Sequence, residues 1–427
     1  MVDILRSLLG SIAPGWLIEL TAHLIVAIVL LVVAAVMTMM LVWIERRGVA
    51  RMQDRLGPNR VGPEGSLQLV ADGAKLFTKE DIVPAAADRW VHLLAPMVVL
   101  AAVAFAMAVV PWGRGVVPAD IDTGALFVAA VASVSGVGLM MAGWASNNKF
   151  ALLGAMRAVA QLVSYEIPGV TALLGAVLLA GTMSLVGIIE QQAGLPIVGT
   201  SIPGAPDLGL GWNVFTPVGL VGFVIFYICV LAEGERTPFD IPEADSEIVA
   251  GYMTEYSGMK FALFYLGQYV LNFVLSMVAV TAFLGGWQGP GVAQLAALGG
   301  WGEVAAGVLS VAYMVGKAVF LIFCMVWIRG AFPRLRVDQL MGFAWKYLLP
   351  MALVNLACIA LWVAITRWSA AQWSGLLNLD GLAAWQRLLL AFVVTGAINA
   401  AAYYWVLSIN QRPAGPESLA ELAPEAA

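Results

Sequence analysis

Long stretches of uninterrupted apolar residues alternate along the chain with short stretches that hold nearly all of its charge. Uncharged apolar runs of about 19 residues or more can cross the ~30 Å hydrocarbon core of a bilayer as helices. Nine such spans are predicted, at 24–44, 93–112, 124–145, 167–189, 214–232, 261–287, 304–328, 347–366 and 388–409, and only the seventh carries a charge, Lys317. The first is too long for the apolar core of a signal peptide. It runs into Glu45-Arg46-Arg47 without a small-residue cleavage site, so it is expected to be retained. After it, Leu67, Leu69, Val70, Ala74, Leu76 and Phe77 interleave with Gln68, Asp72, Lys75 and Lys79. That spacing predicts a short amphipathic helix at the membrane interface. The expected fold is an all-α integral membrane protein of about nine transmembrane helices plus this interfacial helix, in a single membrane domain over 1–427.

Composition agrees with the pattern. The 427 residues are 61% hydrophobic and 11% charged, less than half the ~25% charged share of a soluble chain. A net charge of −5 and the lack of a long basic tract argue against nucleic acid as a partner. Cys229, Cys324 and Cys358 lie singly in apolar stretches, and two histidines, His23 and His92, cannot alone build a haem or zinc site. No metal site is expected. Neither a G-x-G-x-x-G nor a P-loop string occurs, so nucleotide binding by those routes is not expected.

Lys and Arg set the expected orientation. Segment 45–92 holds Arg46, Arg47, Arg51, Arg55, Arg60, Lys75, Lys79 and Arg89. Lys149, Arg157, Arg236, Lys260, Arg329, Arg334, Arg336, Lys346 and Arg412 fall on the same face, which leaves Arg6, Arg114, Arg367 and Arg387 for the other. The N-terminus is therefore expected outside and the C-terminus in the cytoplasm. Two inner loops stand out: a basic one at 45–92, with the rigid run Gly57-Pro58-Asn59-Arg60-Val61-Gly62-Pro63, and an acidic one at 233–260. The second holds Glu233, Glu235, Asp240, Glu243, Asp245, Glu247 and Glu255. Loops of opposite sign on one face are expected to pair, the arginines of 46–60 with the acids of 233–255. On spacing alone the acids read either as a structural clamp or as a relay of proton-carrying carboxylates. Glu166 joins them: Phe150–Ile189 is helix-compatible for twice the length of one span, Pro168 is expected to break it, and Glu166 would sit at the break. An extra C-terminal helix is expected at 385–412 and a disordered Pro/Ala/Glu-rich tail at 413–427.

Several strings then resemble one family. They are Glu45-Arg46-Arg47, Arg55-Leu56-Gly57-Pro58-Asn59-Arg60-Val61-Gly62-Pro63, Asn147-Asn148-Lys149-Phe150, Ser164-Tyr165-Glu166 and Arg236-Thr237-Pro238-Phe239-Asp240-Ile241-Pro242-Glu243-Ala244. With Pro333-Arg334-Leu335-Arg336 they run in order over about residues 17–347. The chain resembles the H subunit of bacterial-type proton-translocating NADH:quinone oxidoreductase, respiratory complex I.

The resemblance implies a subunit of an enzyme complex with no complete active site on this chain. It implies a quinone-access tunnel lined by Glu45, Arg46, Arg55, Asp72, Arg236, Phe239 and Asp240. It also implies a proton path through Glu166, Glu233, Glu243, Asp245, Glu247 and Glu255. The substrate would be ubiquinone or menaquinone, with flavin, NADH and iron–sulfur clusters held by other chains. Implied partners are the peripheral iron–sulfur and quinone-site subunits, the small and antiporter-like membrane subunits, and the lipid of the bacterial inner membrane. One departure is Gln268, where the family usually carries a carboxylate. Two other readings stay open on the sequence: the membrane anchor of a hydrogenase-like complex, and a stand-alone proton or ion transporter.

Overall fold

The structure, a computed structural model, describes residues 15–193, 209–242, 248–367 and 384–410. Thirteen α-helices form among these residues: α1 Gly15–Met52, α2 Gln68–Thr78, α3 Arg89–Val109, α4 Gly124–Ala145, α5 Lys149–Ala180, α6 Leu185–Gln191, α7 Pro217–Glu233, α8 Gly258–Phe283, α9 Val292–Ala297, α10 Trp301–Ala331, α11 Val337–Phe343, α12 Leu349–Arg367 and α13 Ala384–Asn410. A single wide turn, Ala344–Leu348, joins α11 to α12 so that the two act as one long rod. Among the described residues eight rods are long and apolar enough to cross a membrane; α7, at 17 residues, is a shorter apolar helix in the place of the fifth predicted span. The protein is an all-α, multi-pass membrane protein.

Burial orders the bundle. In its most apolar stretch α8 is 83% buried, whereas α1 is 17% buried and turns most of its surface outward. Helices α1, α3, α7 and α10 pack around α8. In water an apolar exterior of this extent would be untenable; in a bilayer it is solvated by lipid. Asp88, Asn148 and Thr216 cap α3, α5 and α7 by accepting from backbone N–H groups of the first turn. Small residues set the closest approaches. A methyl group on Gly154 of α5 would lie 2.6 Å from the Gly251 Cα, and Gly251 itself has φ of 56°, the region that favours glycine.

The expected break at Pro168 does not occur. Helix α5 runs without interruption from Lys149 to Ala180, past Pro168, and ends at Gly181 in the left-handed conformation. The polar residues Lys149, Arg157 and Glu166, which cut the apolar run in the sequence, are carried on one continuous helix. The fourth span therefore begins 18 residues earlier than its apolar run, and 185–189 belongs to the separate short α6. The interfacial helix forms as α2, with none of its residues buried. Helix α13 covers most of the expected 385–412 element, and the tail from 413 lies outside the described residues.

Candidate functional site

At 38 residues α1 is ~57 Å long at 1.5 Å per residue, so its last turns extend past a ~30 Å hydrocarbon core. There it meets α2 and the first turns of α8. Between these three helices lies a cavity of about 1150 Å³, at the upper end of what small-molecule sites offer. Apolar side chains line most of it: Ala35, Met39 and Val42 from α1, Leu69, Leu76 and Phe77 from α2, and Phe261, Ala262 and Leu266 from α8. Charge is confined to Glu45, Arg46, Arg55, Asp72, Arg236 and Arg329.

Glu45 is the centre of that charge. Its side chain is 9% exposed and lies between two guanidinium groups, Arg236 at 3.2 Å and Arg329. Arg236, 11% exposed, also stacks its guanidinium 4.0 Å from the centroid of the Tyr269 ring. Two guanidinium groups around one buried carboxylate compensate its charge and fix its orientation. On the α2 side, Arg46 pairs with Asp72 at 2.8 Å. Partial burial raises the Asp72 pKa, but hydrogen bonds from Arg46 and Gln68 outweigh it and hold the carboxyl below its ordinary value. Arg47 similarly holds the exposed Glu64 carboxyl below its usual range.

Among the described residues the two charged loops do come together, but the ion pairs seen are not those expected. Arg46 and Arg47 meet Asp72 and Glu64, acids of their own segment. In the acidic segment, Asp240 accepts from Arg334 at 3.1 Å, Glu255 from Asn148 at 2.6 Å, and Glu235 from Tyr252 and Gln268. The ion pairs that cross between the loops have the opposite polarity: Arg236 reaches Glu45 at 3.2 Å, and Lys260 reaches Asp81 at 2.8 Å. Acids of the same segment, Asp72 on α2 and Glu64 in the turn before it, neutralise these arginines.

Of the seven residues expected to line a tunnel, Glu45, Arg46, Arg55, Asp72 and Arg236 line this cavity. Phe239 and Asp240 do not. The backbone N–H of Leu335 donates to the Pro238 carbonyl and Arg334 binds Asp240, which draws the turn toward the start of α11. Phe239 is buried edge-on against Tyr165, 5.3 Å between centroids. Two members of the charged cluster around Glu45 escaped the sequence reading, Arg329 and Tyr269. The first looked like a topology charge at the end of a span and the second like an ordinary aromatic inside one.

The expected proton-path residues fall in separate places. Glu166, half-buried on α5, accepts from Ser133 of α4 and lies within electrostatic reach of Glu233. Glu233 ends α7 and borders a small cavity together with Ser135, Glu235, Tyr252 and Gln268. Gln161 of α5 donates to the carbonyls of Ala232 and Phe239, both at 2.7 Å, and so anchors that loop. Glu255 belongs to another cluster, with Asn148 on one side and the stacked His92 and Tyr256 rings, 4.0 Å apart, on the other. Burial pushes the Tyr256 phenol well above its usual value. Glu243, Asp245 and Glu247 lie outside the described residues.

A bundle of apolar helices with a large, mostly apolar cavity closed by a buried arginine–carboxylate cluster defines a multi-pass membrane protein. The chain belongs to the NADH dehydrogenase family, whose profile matches residues 25–360. It is 42% identical over 359 residues to the H subunit of the NADH-quinone oxidoreductase of Anaeromyxobacter dehalogenans (strain 2CP-C), covering 81% of this chain and 82% of that protein. It is also 42% identical over 344 residues to the H subunit of the same enzyme from Dehalococcoides mccartyi (strain CBDB1), covering 80% and 88%. Helix α13 lies beyond the stretch that the family profile matches.

Proposed function

We propose that this chain is a membrane subunit of NADH-quinone oxidoreductase, that the cavity between α1, α2 and α8 carries quinone, and that buried carboxylates behind it link quinone reduction to proton translocation. The names of its relatives support the complex. The observation that carries the quinone reading is the division of one cavity into apolar walls and a charged end. An isoprenoid tail fits walls such as Met39, Leu69, Leu76 and Phe77; a polar ring fits the end formed by Arg236, Glu45, Arg329 and Tyr269. Quinones are too apolar to arrive through water, so they reach such a site from the bilayer. Reduction to quinol takes two electrons, which originate in NADH and arrive through other subunits, and two protons. The guanidinium groups orient the ring and screen developing negative charge. Peripheral electron-transfer subunits and the small and antiporter-like membrane subunits are the partners this implies.

The Lys/Arg-rich segments gather at the cavity end, and the bias of positive charge supports a cytoplasmic position for that end. The setting is then a bacterial inner membrane. Replacing Arg236 with Ala leaves Glu45 half-compensated; breaking a buried pair costs ~3–5 kcal/mol. The expected outcome is a loss of quinone reduction of tenfold or more, while NADH oxidation by an artificial acceptor on the same assembled complex stays intact. Parallel loss of both activities would mean failed assembly and count against a local role in the cavity.

A further inference from the structure

Two amide side chains on one face of α8 have no role in lining the large cavity, and both are buried: Asn272 is 4% exposed and Gln268 8%. They lie one turn apart, so they project in the same direction. Each spends its N–H on the loop that follows α7. The Asn272 amide donates to the Gly234 carbonyl at 3.2 Å, and the Gln268 amide donates to the Glu235 carboxylate at 3.0 Å. Each carbonyl oxygen, Asn272 Oδ1 and Gln268 Oε1, is buried with no protein partner. A buried acceptor left unpaired is uncommon and calls for an explanation.

Both residues border a small cavity. Asn272 shares one of about 20 Å³ with Glu45, Arg236, Tyr269 and Arg329, directly behind the charged end of the large cavity. Gln268 shares another of about 20 Å³ with Glu233, Glu235, Tyr252 and Ser135. One water needs ~10–15 Å³ of such space and two to four polar partners; both sites meet both conditions. Glu233, Gly234 and Glu235 pass between them. Position 234 is held to glycine by this arrangement, because a methyl group there would overlap the Asn272 amide.

We propose that Asn272 and Gln268 are positioning residues that each hold one water, and that these two waters join the Glu45–Arg236–Arg329 cluster to the Glu233 and Glu235 carboxylates. An amide has no titratable proton, but it can donate to one neighbour and accept from a water, which keeps that water oriented. Each hand-over moves one proton along the hydrogen bonds of these waters and transfers no electrons: a water takes a proton on one side and releases another to a carboxylate oxygen on the other. The inference rests on the quinone-linked proton reading above and supplies its missing connection.

The test uses the assembled complex in sealed vesicles, with rates expressed per complex able to oxidise NADH with an artificial acceptor. Asn272→Val and Gln268→Met remove the acceptors while roughly keeping volume. Each is expected to lower kcat for a short-chain quinone, and proton uptake with it, at least fivefold, with the KM for quinone within twofold of wild type. Gly234→Ala, which displaces the Asn272 amide without altering it, should do the same. Asn272→Ser, which still binds water, should recover at least half of the lost rate. Asn272→Val and Gln268→Met variants within twofold of wild type overturn the proposal, as does a serine variant no better than valine. Glu233→Gln measured alongside separates the two levels. If it is impaired while the amide variants are normal, only the water link fails; if it too is normal, the carboxylate reading fails with it.

Discussion

Glu45 is bracketed by arginines that lie almost 200 and almost 300 positions away in the sequence, and the two are not equivalent. Arg236 is 11% exposed and stacked on Tyr269; Arg329 is 38% exposed. Attraction in the drier position is less screened, so Arg329→Ala should lower quinone reduction several-fold less than Arg236→Ala. Equal losses in side-by-side turnover would remove the distinction. Asp72 gives a prediction in pH. Its carboxyl is held below the ordinary 3.8, so the Arg46–Asp72 pair is fully formed above that value and is lost only as pH falls through the lower one. Asp72→Asn should therefore reduce the rate without moving the pH profile between about pH 5 and 8. A displaced acid limb would show that Asp72 titrates in that window. Glu45 and Arg236 were legible from their motifs. Arg329 was not, because an arginine at the end of an apolar run reads the same whether it anchors a helix or closes a cavity.

Among the elements, α8 shows what a single intramembrane charge can do. Lys317 of α10 donates to the carbonyls of Leu284, Gly286 and Gln288 at 2.7–2.9 Å, just past the end of α8, and its ammonium lies 4.1 Å from the Trp212 ring centroid. Cations near a helix C-terminus are favoured by its dipole, and three carbonyls use all three N–H donors. Lys317→Met should lower the stability of the most buried helix by about 1–3 kcal/mol, seen as a lower melting temperature of the assembled complex. An unchanged melting temperature would make the cap dispensable. Element positions were largely readable because nine apolar runs each produced a helix. Where the reading failed, at α5, it took polarity for an ending. Lys149, Arg157 and Glu166 interrupt the apolar run but not the helix, and Pro168 is tolerated inside it. Helix α13 is fastened by the amide contact of Asn399 with Asn355, which itself binds the Val218 carbonyl. Polar links of that kind inside a bilayer are worth ~0.6–2 kcal/mol.

For the whole molecule, the cavity end and the Lys/Arg-rich end coincide. A cysteine placed at Asn59, beside the cavity rim, should react with a membrane-impermeant reagent only in vesicles that expose the cytoplasmic face. Labelling from the opposite face would invert the orientation proposed. A tail-labelled, photoreactive quinone should mark α1, α2 or the start of α8, and labels confined to the far end of the bundle would remove the lateral route. The balance of charge on the cavity wall has an electrochemical consequence. Four guanidinium groups, those of Arg46, Arg55, Arg236 and Arg329, face two carboxylates, Glu45 and Asp72. A ring that takes up an electron before its proton becomes an anion inside a net positive enclosure, so the enclosure binds the one-electron-reduced form more tightly than the oxidised one. Each tenfold preference of that kind raises the midpoint potential of the bound couple by about 59 mV. On the proposed quinone reading, the arginines around Glu45 would set the driving force available for electron transfer as well as the fit of the ring.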